Sequence, residues 1–219
     1  MTHITLVRHG QANSSARDEL GYDRLSDLGR QQALWLGEHI EATGERFAHV
    51  YSGTLIRQVD TARAMGVEDH GALTQDPRLN ELSYFHMAQL MEAQHGVALP
   101  TGREGYITHL PQVFGAWERG EITDAPETYA AFTDRLDALM ADITASPGHA
   151  LLVTSGGVIA TILRRVLGLN QQAWAHIALS IMNSSVHRLH VVNDTPMLAH
   201  FNAIPHLERR DRQFAQTHF

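Results

Sequence analysis

The chain of 219 residues contains neither cysteine nor lysine. Without cysteine there is no disulfide, no thiolate nucleophile and no cysteine-based zinc site, so nothing chemical ties the chain to an oxidising compartment. Without lysine, Schiff-base chemistry and a lysine general base are excluded, and all 17 permanently charged basic side chains are arginines. Long apolar runs are lacking too. No stretch is long enough to cross a bilayer, and Met1 to Val7 is too short and too polar for a secretory signal. A formal net charge of -7 with no basic cluster speaks against nucleic acid and anionic membrane surfaces as partners. Together these absences predict a cytoplasmic protein.

What is present is a globular composition. With 43% hydrophobic residues the chain can bury one sizeable core and is short for two, and no linker or repeat divides it, so residues 1–219 are read as a single domain. Ile4 to Val7 is a short, wholly apolar run, as expected for a strand covered on both faces of a mostly parallel sheet. Ser26 is placed to cap a helix that carries Leu34, Leu36 and Ile40. Phe47 to Tyr51 reads as the next strand and Leu55 to Met65 as the next helix. From Tyr84 to Asp124 the rhythm breaks: Pro100, Gly102, Gly105, Pro111, Gly115 and Gly120 interrupt helix-sized pieces, which predicts an insertion or mobile cap over the site. Pro126 to Ile143 is an amphipathic helix with Phe132, Leu136, Leu139 and Met140 on one face. Ala150 to Thr154 is another buried strand, followed by a helix over Val158 to Leu167. Val186 to Val192 and Met197 to Phe201 form a closing pair of strands around Asn193-Asp194, and the last dozen residues read as a polar tail. The alternation predicts an α/β fold, a three-layer α/β/α sandwich around a mostly parallel sheet.

Chemistry concentrates at strand exits. Arg8-His9-Gly10 sets an obligate cation and a titratable imidazole on a turn whose glycine lets an anion approach the backbone. Taken alone, such a tripeptide also fits a packed histidine and a surface ion pair. Arg57, in the first turns of the helix after the second strand, is a second candidate anion ligand, because helix-end amides and a guanidinium can hold an oxyanion jointly. His86, His95, His109, His200 and His206 lack compact ligand spacing and read as surface or pocket-wall residues, with no metal site and no cofactor expected.

The ordered set of motifs resembles the histidine phosphatase superfamily, which includes phosphoglycerate mutases and many phosphatases. Leu6-Val7-Arg8-His9-Gly10-Gln11 is similar to the family's nucleophile motif and Leu25 to Ala33 to its next helix start. Ser52 to Ala62 resembles the segment of its second arginine, and Pro77-Arg78-Leu79-Asn80-Glu81 the segment of its acid. Glu127, Phe132 and Arg135, Val153 to Ile159, and Asn183 to Val186 follow in the expected order. The resemblance implies a phosphoglycerate mutase-like fold. It makes His9 the nucleophile that becomes a phosphohistidine, with Arg8 and Arg57 holding phosphoryl oxygens and lowering the pKa of His9. Glu81 would protonate the leaving oxygen, which requires its carboxyl to hold a proton at the working pH. Gln11 and Gly156 are candidate substrate contacts.

One position departs from the pattern. Ser155 stands where most members carry a second histidine on the phosphoryl group, as it does in one bacterial branch. A hydroxyl there can donate one bond but carries no charge, and losing an oxyanion donor costs about 2.7 to 4 kcal/mol of transition-state stabilisation. Ser155 is therefore expected to face His9 across the anion site and to leave a gap one imidazole wide. After Glu81, Leu82-Ser83-Tyr84-Phe85-His86 replaces the family's usual continuation. The reading that results is a phosphomonoester hydrolase acting on a small phosphorylated substrate, with hydrolysis favoured over mutase activity. The competing reading is a catalytically weakened phospho-ligand-binding or regulatory protein. The oligomeric state, a homodimer included, is left open.

Overall fold

The structure is a computed structural model that describes residues 2–16 and 18–218. In chain order the elements are β1 (His3–Arg8), α1 (Glu19–Tyr22), α2 (Asp27–Thr43), β2 (His49–Ser52), α3 (Ile56–Ala64), β3 (Leu73–Gln75), α4 (Tyr84–His95), α5 (Arg103–Glu118), α6 (Tyr129–Ala145), β4 (His149–Thr154), α7 (Gly156–Leu167), α8 (Gln171–Ser180), β5 (Val186–Val192) and β6 (Thr195–Ala203). The described strands form one sheet in the order β3-β2-β4-β1-β5-β6. β3, β2, β4 and β1 run parallel, and β5 and β6 pair antiparallel.

β1 and β4 are neighbours in register, Arg8 beside Thr154, so their C-terminal ends open at one edge of the sheet. Both strands are apolar along their length because both faces are covered. Leu6 and Leu152 belong to the core under α4 to α8, whereas Val7, Leu151 and Val153 belong to the core with Leu36 and Ile40 of α2. Asn193 and Asp194 turn β5 into β6 with φ of 50 and 60 degrees, the left-handed pair that a two-residue hairpin requires.

Local chemistry sets the helix ends. Ser26 caps α2 as expected, its hydroxyl accepting from the Gly29 amide. α6 starts three residues later than the sequence predicts, because Thr128 takes the cap and Glu127 turns away to a two-pronged ion pair with Arg135. Of the apolar residues expected on α2, Leu36 and Ile40 are buried and Leu34 is exposed. The three-stretch β3 and the helix α8 were not foreseen.

Two expectations about outlying segments are corrected. The Tyr84 to Asp124 stretch breaks at Pro100 and Gly102, between α4 and α5, and at Gly120, but not at the other three positions: α5 runs through Gly105, Pro111 and Gly115. Pro111 removes one amide from the ladder, and the carbonyl so released belongs to Ile107, an exposed residue. Nor is the stretch merely a cover, since Met87, Met91, Phe114 and Trp117 are buried in the main core and Phe114 stacks on Trp174 with ring centroids 3.4 Å apart. The C-terminal residues are not a free polar tail. Ala215 is buried, its carbonyl accepts from Gln32 Nε2, and the Thr217 carbonyl accepts from the Asn183 amide.

His206, read as a surface or wall residue, is 2% exposed and bonded to Ser184 Oγ, and His187 is fully buried against Ser185 Oγ. Burial pushes both rings down to about 3. A ring whose folded pKa lies below its unfolded value of about 6.5 is protonated first in the unfolded chain, so stability is present above pH ~6.5 and is lost as pH falls below it. Taking both rings as neutral when folded, up to about 4 kcal/mol disappears between pH 7 and 5, above the range where carboxylates titrate. Urea midpoints should fall steeply over that window. A flat midpoint from pH 7 to 5 would mean the two rings are not held neutral.

Candidate active site

The nucleophile candidate is fixed by backbone. At the exit of β1 the His9 amide donates to the Thr154 carbonyl at 2.8 Å and the His9 carbonyl accepts from Ser184 at 3.2 Å, while the Gly10 amide donates to Thr61 Oγ1 at 3.0 Å. A side chain at Gly10 is impossible here, because its Cβ would lie 2.2 Å from the Gly29 carbonyl oxygen. Gly29 is equally constrained by Gln11, so the turn after β1 and the first turn of α2 touch backbone to backbone.

His9 Nδ1 is 2.7 Å from the Gly10 carbonyl oxygen, which can only accept, so this nitrogen carries the proton. That leaves the lone pair on Nε2, where the Arg57 Nε–H donates at 3.3 Å. The pKa of His9 lies well below the ordinary imidazole value, first through burial and then through the charges of Arg57 and Arg8. The sequence reading named the two arginines as the cause; burial is the larger one. Either way the ring is held in its nucleophilic neutral form.

Arg57 sits at the start of α3 and is clamped by Asp23. The carboxylate accepts from Arg57 Nη1 at 3.0 Å, from the Arg57 amide at 3.1 Å and from the Ile56 amide at 3.0 Å, so it caps the helix and orients the guanidinium together. Tyr22 places its ring 5.0 Å from the same guanidinium. Arg8 is anchored from behind by the Ile181 carbonyl.

Glu81 is presented by a loop that Arg135 holds in place. The Arg135 guanidinium donates to the carbonyls of Arg78 and Asn80 while its other edge forks with Glu127. The Glu81 carboxyl then meets two amides, Oε1 accepting from Leu82 at 3.0 Å and Oε2 from Gly157, in the first turn of α7, at 2.8 Å. Arg8, His9, Arg57, Glu81 and Gly156 all line one cavity of about 310 Å³. The wall also includes Leu82, Tyr84, Phe85, Tyr106 and Leu110, all from the stretch after Glu81, Trp174 of α8, and Ser14, Glu19, Tyr22 and Thr101.

Two sequence candidates are not on that wall. Gln11 turns its side chain to Ser26, whose hydroxyl donates to Gln11 Oε1 at 2.9 Å, and its amide donates to Gln32 Oε1. Ser155 does lie at the exit of β4, yet its hydroxyl is fully buried and accepts from Gln58 Nε2 at 2.8 Å. The expected open gap is absent, because the Gln58 amide stands against Ser155 and also donates to the Leu79 carbonyl at 3.1 Å. Asp23, Tyr22, Gln58 and Trp174 were missed. Gln58 lies inside the Ser52 to Ala62 segment without being singled out and no motif marks the other three, since each acquires its role only from contacts across distant parts of the chain.

The family model of the histidine phosphatase superfamily (branch 1) matches residues 4–204. The chain belongs to the histidine phosphatase superfamily. Among its curated relatives, a 2,3-bisphosphoglycerate-dependent phosphoglycerate mutase from Rhizobium etli is 32% identical over 131 residues, 58% of this chain and 58% of the mutase. The match therefore spans less than two thirds of that relative's length. A glucosyl-3-phosphoglycerate phosphatase from Mycolicibacterium vanbaalenii is 28% identical over 78% of this chain and 76% of its own. Among solved structures, the mycobacterial glucosyl-3-phosphoglycerate phosphatase superposes with a TM-score of 0.63 at 26% identity, covering 92% of this chain and 98% of that one. The Bacillus stearothermophilus structure, at TM-score 0.69 and 23% identity over 95% of this chain and all of the other, shares the fold of this histidine phosphatase.

Proposed function

We propose that this histidine phosphatase is a phosphomonoester hydrolase that works through a phosphohistidine on His9. The observation that carries the reading is the convergence of the His9 Nε2 lone pair, two guanidiniums and a carboxyl on one cavity. Arg8 and Arg57 bind nonbridging phosphoryl oxygens and stabilise the charge that spreads over them in transfer. Nε2 forms the new bond to phosphorus as the P–O ester bond breaks; the electron pair leaves with the ester oxygen, which takes its proton from the Glu81 carboxyl. Water then attacks the phosphohistidine, giving a proton to the Glu81 carboxylate and releasing inorganic phosphate from Nε2. Inorganic phosphate or vanadate should seat between Arg8, His9 and Arg57. The relatives with phosphatase and mutase names support the reaction class. A site that only binds phosphate has no use for a leaving-group acid, which favours turnover over the binding-only reading. Composition is what supports a cytoplasmic location; no helix among the described residues is long and apolar enough to cross a membrane.

The test is a leaving-group comparison. Glu81→Gln keeps one acceptor oxygen for the amides and cannot supply the proton, so hydrolysis of alkyl phosphates should fall about 10²- to 10⁴-fold. p-Nitrophenyl phosphate, whose leaving group needs no proton, should lose far less. Equal losses on both classes would remove Glu81 from the acid role.

A further inference from the structure

Beside the hydroxyl-bearing Ser14, Thr101 and Tyr106, much of the cavity wall is built from rings and aliphatic chains whose polar ends point elsewhere. Tyr84 contributes a wall, but its hydroxyl is 2.6 Å from His109 Nδ1, and burial holds its pKa far above the ordinary phenol value. Trp174 contributes another, with its indole N–H directed 3.2 Å away to Thr161 Oγ1 of α7. Phe85, Leu82 and Leu110 add carbon alone. These side chains therefore offer a bound molecule apolar surface and few hydrogen bonds.

Among the described residues, charge on the same wall disfavours an acid. Among the described residues the permanent cations lining the cavity are Arg8 and Arg57, both engaged at the phosphoryl end, and the other charged groups are the carboxyls of Glu19 and Glu81. Glu19 accepts from the Phe85 amide at 2.8 Å, which fixes its carboxyl beside the aromatic wall. A substrate carrying a carboxylate next to its phosphate would meet no further described cation there and would face Glu19. The cavity of about 310 Å³ has room for a ring-sized group beside a phosphate.

Resting on the phosphatase reading above, we infer that the cavity selects phosphomonoesters whose alcohol portion is uncharged and apolar, aryl or aralkyl, over esters of hydroxy acids. Burying a phenyl-sized group on such a wall is worth about tenfold or more in kcat/KM.

The experiment holds the leaving group constant by comparing alkyl esters: 2-phenylethyl phosphate, glycerol 3-phosphate, 3-phosphoglycerate and phosphoserine, with kcat/KM measured for each. Binding of the same four to His9→Ala is followed by calorimetry. The aralkyl ester should lead the hydroxy-acid esters at least about tenfold in both measurements. Leu110→Arg, which adds a cation to the wall, should narrow or reverse the difference between the aralkyl and the hydroxy-acid esters. If 3-phosphoglycerate or phosphoserine leads in both measurements, the inference is overturned while the phosphatase reading stands. If no ester is turned over by folded protein, the phosphatase reading fails, and the binding order on His9→Ala still decides whether the cavity prefers the apolar ester.

Discussion

His9→Ala should leave a folded protein that binds inorganic phosphate and turns over no ester at a measurable rate, a loss of about four orders of magnitude or more. The size follows from the geometry, because among the described residues His9 alone offers a neutral ring-nitrogen lone pair beside the two guanidiniums. Arg8 and Arg57 carry no lone pair to give, and Glu81 is held by the amides of Leu82 and Gly157 where it serves the leaving oxygen. Phosphate binding survives because each arginine keeps an anchor other than the ring, Arg57 on Asp23 and Arg8 on Ile181. Rapid acid-free quench of the wild type with labelled substrate should trap a protein-bound phosphoramidate that is stable to base and lost in acid. Label of the same kind on His9→Ala, or residual turnover of more than a few per cent, would place the nucleophile elsewhere.

The second large effect is a dependence between two buried residues. Ser155→His was expected from the sequence to fill a vacant space, but Gln58 already stands there with its amide on the Ser155 hydroxyl. Alone, Ser155→His must displace a fully buried amide that also satisfies the Leu79 carbonyl, and overpacking of this kind costs about 1–3 kcal/mol. Little or no gain in rate is expected. Gln58→Ala combined with Ser155→His makes room for the imidazole, and phosphatase turnover should then rise by about 10²-fold, the value of one oxyanion donor. Gln58→Ala alone should gain nothing, because it leaves the serine hydroxyl without that donor. The four proteins form a double-mutant cycle, and the expected result is strong positive coupling in kcat. Full gain from Ser155→His by itself would show that Gln58 is no obstacle. No gain from the pair would show that the site is complete with its present donors.

What could be read in the sequence divides along physical lines. His9, Arg8, Arg57 and Glu81 each sit in a short motif at the end of an element, and strand exits in a parallel sheet gather at one edge, so the motifs could be assembled into a site before any coordinates. The apolar runs of β1 and β4 were legible for the same reason: burial on both faces leaves no polar position to confuse the pattern. Ser155 was placed correctly along the chain and wrongly in its surroundings, since its partner Gln58 is 97 residues away and nothing local signals the contact. Asp23 was silent because its three bonds run to residues more than thirty positions on. Glycine and proline density misled in α5, where tertiary packing of Phe114 and Trp117 outweighs weak local propensity. The short β3, of only three residues, is below the length at which alternation can be seen.

The backbone contact between Gly10 and Gly29 has a thermodynamic corollary. Ordering a catalytic loop at the moment of binding would subtract conformational entropy from substrate affinity, about 1–2 kcal/mol for each residue fixed. Here the turn that aims His9 is already immobilised by α2 and by the Gln11–Gln32 and Gln32–Ala215 bonds that carry the C-terminal segment onto it. That entropy is lost during folding, so substrate encounters a loop with nothing left to organise.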